Sequence, residues 1–231
     1  MSTRSSFFLL LALVLFCITS VDVLAHGVDK NTQRFLLANQ GVAVGPFLYI
    51  GAKHMVTGYD HLLFLIGVIF FLYRKRDVLL YVSLFTLGHS ITLLLGVLTN
   101  VAVNAYIIDA IIGLSIVYKG FDNLGGFKRL MGFEPNTKAA VLIFGLFHGL
   151  GLATKLQEFN LPQVDLWKNL LAFNIGVEFG QFLALVFILI TLSFWRRYKS
   201  YDHFTSATNT LLMTGGFTLF GFQMTSYFIA G

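Results

Sequence analysis

The stretch KNLLAFNIGVEFGQFLALVFILITLSFW, residues 168–195, decides the fold class. After Lys168 it carries one charged side chain, Glu178. At ~1.5 Å of rise per residue it is long enough to cross a hydrocarbon core of about 30 Å as a helix. Five further apolar stretches, at 47–73, 78–98, 102–118, 138–155 and 208–229, are of the same kind. Of 231 residues, 56% are hydrophobic and 12% charged, and the mean hydropathy is +0.76. Such a chain needs a bilayer as solvent. The expectation is an all-α, polytopic bundle of six transmembrane helices.

The ends and loops extend that expectation. Arg4, the apolar run 7–18 and Val23-Leu24-Ala25 read as a cleaved signal peptide over residues 1–25, leaving His26 as the mature N-terminus. Cys17, the single cysteine, falls inside that leader, so the mature chain has no thiol with which to bind metal or form a disulfide. Residues 26–46 form a periplasmic N-terminal segment, and 47–231 the six-helix domain. The net charge of +5 does not indicate nucleic acid, because the 16 Lys and Arg residues lie in short runs between apolar segments. Arg74-Lys75-Arg76, then Lys119, Lys128, Arg129 and Lys138, then Arg196-Arg197-Lys199 place three loops in the cytoplasm by the positive-inside rule. Six spans then put both mature termini in the periplasm, for a multi-pass protein of a bacterial inner membrane. Glycine pairs such as Gly145/Gly149, Gly176/Gly180 and Gly215/Gly216/Gly221 are small-xxx-small packing surfaces, and they permit a homo-oligomer.

The ionisable residues inside the spans carry the functional information. His54, Asp60 and His61 fall in the first span, His89 in the second, Asp109 in the third, His148 in the fourth and Glu178 in the fifth. Groups of this kind cost several kcal/mol when they face lipid, so they are expected to face the bundle interior. Counted along their helices, His61, His89, His148 and Glu178 lie between the midplane and roughly 10 Å below the outer surface. His54 and Asp109 come nearer the outer mouth. His54 and His61, seven apart, share a face of one helix, whereas Asp60 points about 100° from His61. Asn174, Glu178 and Gln181 follow i, i+4, i+7 as a polar stripe, and Ser90 stands beside His89.

Imidazoles with carboxylates and no thiols suit Ni²⁺, Zn²⁺, Co²⁺ or Cu²⁺. A mixed His/Asp/Glu set can release an ion, as a permease requires. The same set can hold a catalytic zinc, with Asp60 or Glu178 as base and Ser90 as helper, or relay protons with no metal. A single intramembrane histidine more often just bonds one helix to the next; four histidines with three carboxylates at similar depth argue for a site. His26 with its α-amine can chelate Cu²⁺ or Ni²⁺, although a terminal residue usually has no role. No Walker-type glycine loop is present, so an ATP-driven pump is not indicated.

The run His54-Met55-Val56-Thr57-Gly58-Tyr59-Asp60-His61 resembles the first-helix signature of the HupE/UreJ family of hydrogenase and urease accessory membrane proteins. Phe85-Thr86-Leu87-Gly88-His89-Ser90-Ile91-Thr92, Phe147-His148-Gly149-Leu150-Gly151 and Phe173-Asn174-Ile175-Gly176-Val177-Glu178-Phe179-Gly180-Gln181 extend the resemblance in order over residues 47–229. It implies divalent metal permeation, with nickel the metal usually assigned, and it implies His54, Asp60, His61, His148 and Glu178 as functional residues. A metalloenzyme maturation partner is implied as well. Met55 stands where the nickel permeases have proline, and Leu152 where they have a second histidine, so the nearer match is a sister branch. The resulting expectation is an outward-opening metal site of His54, Asp60, His61, His89, His148 and Glu178. Asp109, Ser90, Asn174, Gln181 and His26 are accessory candidates.

Overall fold

The computed structural model describes residues 30–38, 41–159 and 165–230. The leader, its cleavage site, Cys17 and His26 lie outside the described residues. Within them every regular element is a helix, and nine can be followed in order. They are α1 (Lys30–Ala38), α2 (Val44–Thr57), α3 (Tyr59–Ile69), α4 (Lys75–Leu98), α5 (Ala105–Asn123), α6 (Gly126–Met131), α7 (Thr137–Glu158), α8 (Leu166–Trp195) and α9 (Ser200–Ala230). By length and composition, α4, α7 and α8 are long and apolar enough to cross a membrane.

Local chemistry sets several boundaries. Asn104 caps α5 by accepting from the Ile107 N–H, and Asn136 caps α7 by accepting from Lys138 and Ala139. At the end of α3, Arg196 donates to the carbonyls of Ile69, Phe70 and Leu72, while Tyr201 donates to Phe70. A cation on those carbonyls also meets the negative end of the helix dipole.

Two sequence expectations need correction. The segment 47–73 is not one helix: Gly58, at φ −73° and ψ 98°, is extended and separates α2 from α3. A side chain there would meet Asp60 Oδ1, the His54 carbonyl and His61 Cδ2, each at 3.0 Å, so the bare backbone lets the chain turn inside the core. The spans at 102–118 and 208–229 are also longer than hydropathy shows. α5 runs on through Lys119, which is buried because its ammonium pairs with Asp122 one turn later at 2.6 Å. α9 begins at Ser200 and absorbs the polar stretch containing His203, which is exposed.

The helices pack as three intimate pairs, α2 with α8, α4 with α7 and α5 with α9. Glycines let the backbones touch. A methyl on Gly176 would collide with the Leu48 carbonyl of α2, and one on Gly149 with the His89 carbonyl of α4. Direct bonds lock the same pairs: Thr92 Oγ1 donates to the Leu146 carbonyl at 2.6 Å, and Asn123 Nδ2 to Asn209 Oδ1 at 2.8 Å. Asn169 holds the turn before α2, donating to the Gly41 carbonyl and accepting from the Ala43 N–H. Arg196 bound to the end of α3, and Asn123 bound to the Gly67 carbonyl, bring the segments near 70, 123 and 196 to one basic end of the bundle.

Candidate metal centre

The interruption at Gly58 builds the centre. On an unbroken helix, seven residues separate His54 from His61 by about 10 Å of rise. With the break, His54 in the last turn of α2 and His61 in the first turn of α3 face each other, Nε2 to Nε2 at 2.9 Å. His89 enters from α4 and His148 from α7. Ring centroids of His61 lie 4.8, 5.8 and 5.0 Å from those of His54, His89 and His148, so His61 is the common neighbour. Asp60, in the first turn of α3, adds a carboxylate where the helix dipole favours negative charge. All five side chains are 2% exposed or less.

Among the described residues, two groups of three satisfy the proximity a metal needs: His54, His61 and His89, and Asp60, His61 and His148. In each, one ligand atom per residue lies within 4.8 Å of the others. At a metal–nitrogen distance of about 2.0–2.1 Å, ligands on opposite sides of one ion stand roughly 4 Å apart, so small rotations close either set. His148 is already aligned. Its Nδ1 donates to the Phe144 carbonyl at 2.7 Å, which fixes that tautomer and turns Nε2 toward the centre. Phe64 and Phe85 pack against the His148 ring and exclude water.

A narrow pocket with room for about one water molecule touches His61 and extends toward the basic end. Phe64, Leu65, Val68 and Phe85 line it, with Gln181 at its side and Tyr81 at its far end. Sequence reasoning expects an opening toward the other end.

Not every expected residue converges. Glu178 is exposed on α8 and belongs to neither group, although Asn174 and Gln181, four and three residues away, are buried. At 100° per residue Glu178 lies about 160° round the helix from Gly176, which is pressed onto α2, and so just outside the buried arc. Asp109 belongs to neither group either. Its side chain is 1% exposed and faces the Lys155 ammonium at 3.8 Å. Gln181 accepts from Thr86 Oγ1 at 2.6 Å and ties α8 to α4. Ser90 Oγ and Asn174 Oδ1 are buried and bond to no described residue. His54 is fully buried among the helices. Sequence reasoning missed the Phe144 carbonyl that aligns His148; the i−4 spacing was the available signal. It also missed the structural break at Gly58.

No curated protein and no solved structure matches the chain. The family model described as HupE / UreJ protein matches residues 30–231, nearly all of the chain and all four histidines of the centre. The protein is a helical membrane protein of a metal-related accessory and permease family, and the chain belongs to the HupE/UreJ family.

Proposed function

We propose that the protein is a permease for a divalent transition metal, nickel-like in preference, and that the ion crosses through the buried His/Asp centre. The observation that carries this reading is the convergence of four imidazoles and one carboxylate from α2, α3, α4 and α7 in the buried interior. Burying so many ionisable groups is costly unless an ion or a partner offsets it. Six spans are proposed: the interrupted α2–α3 pair, α4, α5, α7, α8 and α9. The meeting of the basic segments at one end supports a cytoplasmic face there, with both mature termini periplasmic. A leader at 1–25, a periplasmic segment at 26–46 and an inner-membrane domain at 47–231 complete the proposal.

In this mechanism the ion meets neutral imidazoles and the Asp60 carboxylate at mid-depth. His148 lies eleven residues into the 22-residue α7, about 16 Å from its start. Mixed nitrogen and oxygen ligands hold borderline ions without the permanence of a thiolate cage. We place the inward path along the narrow pocket from His61 to Tyr81, with Phe64 and Phe85 as its apolar walls, which must part for an ion to pass.

Uptake of Ni²⁺, Co²⁺, Zn²⁺ and Cu²⁺ into proteoliposomes tests the proposal. Flux above empty vesicles for at least one ion, reduced at least tenfold in His61→Ala, is the expected result. Stoichiometric metal binding with no flux for any ion would overturn the permease and favour a metal-dependent hydrolase or a metal-delivery accessory at the same centre.

A further inference from the structure

The two ligand groups are not equivalent, and they share one residue. The first, His54, His61 and His89, is all imidazole; the second, Asp60, His61 and His148, includes the only carboxylate in either group. We infer that these are two coordination stations occupied in turn by a single ion, with His61 passing the ion between them. This rests on the metal reading above and deepens it.

Three observations carry the inference. His61 Nε2 points at His54 Nε2, 2.9 Å away, and so serves the first station. The two nitrogens of an imidazole leave the ring in different directions, which leaves Nδ1 for the second station. His148, held by the Phe144 carbonyl with Nε2 inward, defines that second station from α7, while His89 defines the first from α4. Simultaneous occupancy is disfavoured by charge. Asp60 is the single negative group in either set, so it neutralises half of one divalent ion, and a second ion sharing the same imidazole would face an uncompensated like charge in a low-dielectric interior. The asymmetry also gives direction. The neutral station accepts an ion without holding it by charge, and the station with Asp60 draws it onward.

Copper(II) electron paramagnetic resonance on the detergent-purified wild-type chain tests this without any variant. The expected result is one Cu²⁺ per chain giving two superposed signals, one with three nitrogen couplings and one with two nitrogens and oxygen. One ion with a single signal would overturn the two-station inference, as would two ions per chain. Half-site variants test it independently. His54→Ala/His89→Ala is expected to keep the nitrogen–oxygen signal, and Asp60→Asn/His148→Ala the all-nitrogen signal. Each should still bind one ion, with the two residual association constants together matching that of the wild type, and each should lose at least tenfold in flux. Loss of all binding in either folded variant would mean one composite site. A wild-type chain that binds no ion would overturn the metal reading as well, so the two failures are distinguishable.

Discussion

At the residue scale, the chemistry hangs on His61, the one side chain common to both ligand groups. His61→Ala is expected to abolish metal binding, whereas Glu178→Gln should leave metal content unchanged, since Glu178 stands on the exposed rim of α8. Metal analysis of the two purified variants checks both. Imidazole ligands must be neutral to bind, so affinity should fall as pH is lowered and binding should release protons. Isothermal titration in two buffers of different ionisation enthalpy measures that release, and pH-independent binding would contradict imidazole ligation. The sequence alone showed which residue types gather inside the spans. It misplaced Glu178 because the i, i+4, i+7 stripe spans about 60° of arc, and the buried sector of α8 ends within it. It did not show the Asp109–Lys155 contact because Lys155 comes from another helix.

At the element scale, two devices hold the centre in place, and each can be broken. Gly176 lets α8 touch α2 at the Leu48 carbonyl. Gly176→Ala is expected to destabilise the pair by about 1–3 kcal/mol, as overpacking of a close contact does. Thermal unfolding in detergent reads this, with Gly221→Ala as a control because nothing lies within 4 Å of that position. Arg196 closes the end of α3 through three carbonyls. Arg196→Met should cost about 3 kcal/mol, and Arg196→Lys less, because charge-assisted bonds of this kind are worth roughly 1.5–3 kcal/mol each and are not additive. Helix existence was legible from hydropathy throughout. The break at Gly58 was not, because Thr57 and Gly58 interrupt neither the apolar run nor its length, and only the tertiary approach of His54 to His61 gives the extended glycine a purpose. The continuation of α5 through Lys119 was hidden for a similar reason, the Asp122 pairing that offsets its charge.

At the scale of the whole molecule, three glycine-zipped helix pairs surround one buried layer of four imidazoles and a carboxylate, and that layer touches a narrow pocket toward the basic end. The four sequence motifs resembling the HupE/UreJ family fall on the helices that build this layer or pack against it, which is why the family was legible before any coordinates. The relative positions of those helices were not, since they depend on backbone contacts that hydropathy does not encode. The central claim is that the layer binds a divalent transition metal, and equilibrium dialysis against Ni²⁺ and Co²⁺ with elemental analysis of the detergent-purified chain tests it most directly. The account predicts one ion per wild-type chain and none in a His61→Ala variant with wild-type helicity and elution volume. No bound ion in the wild type, or one ion retained in folded His61→Ala, would contradict it.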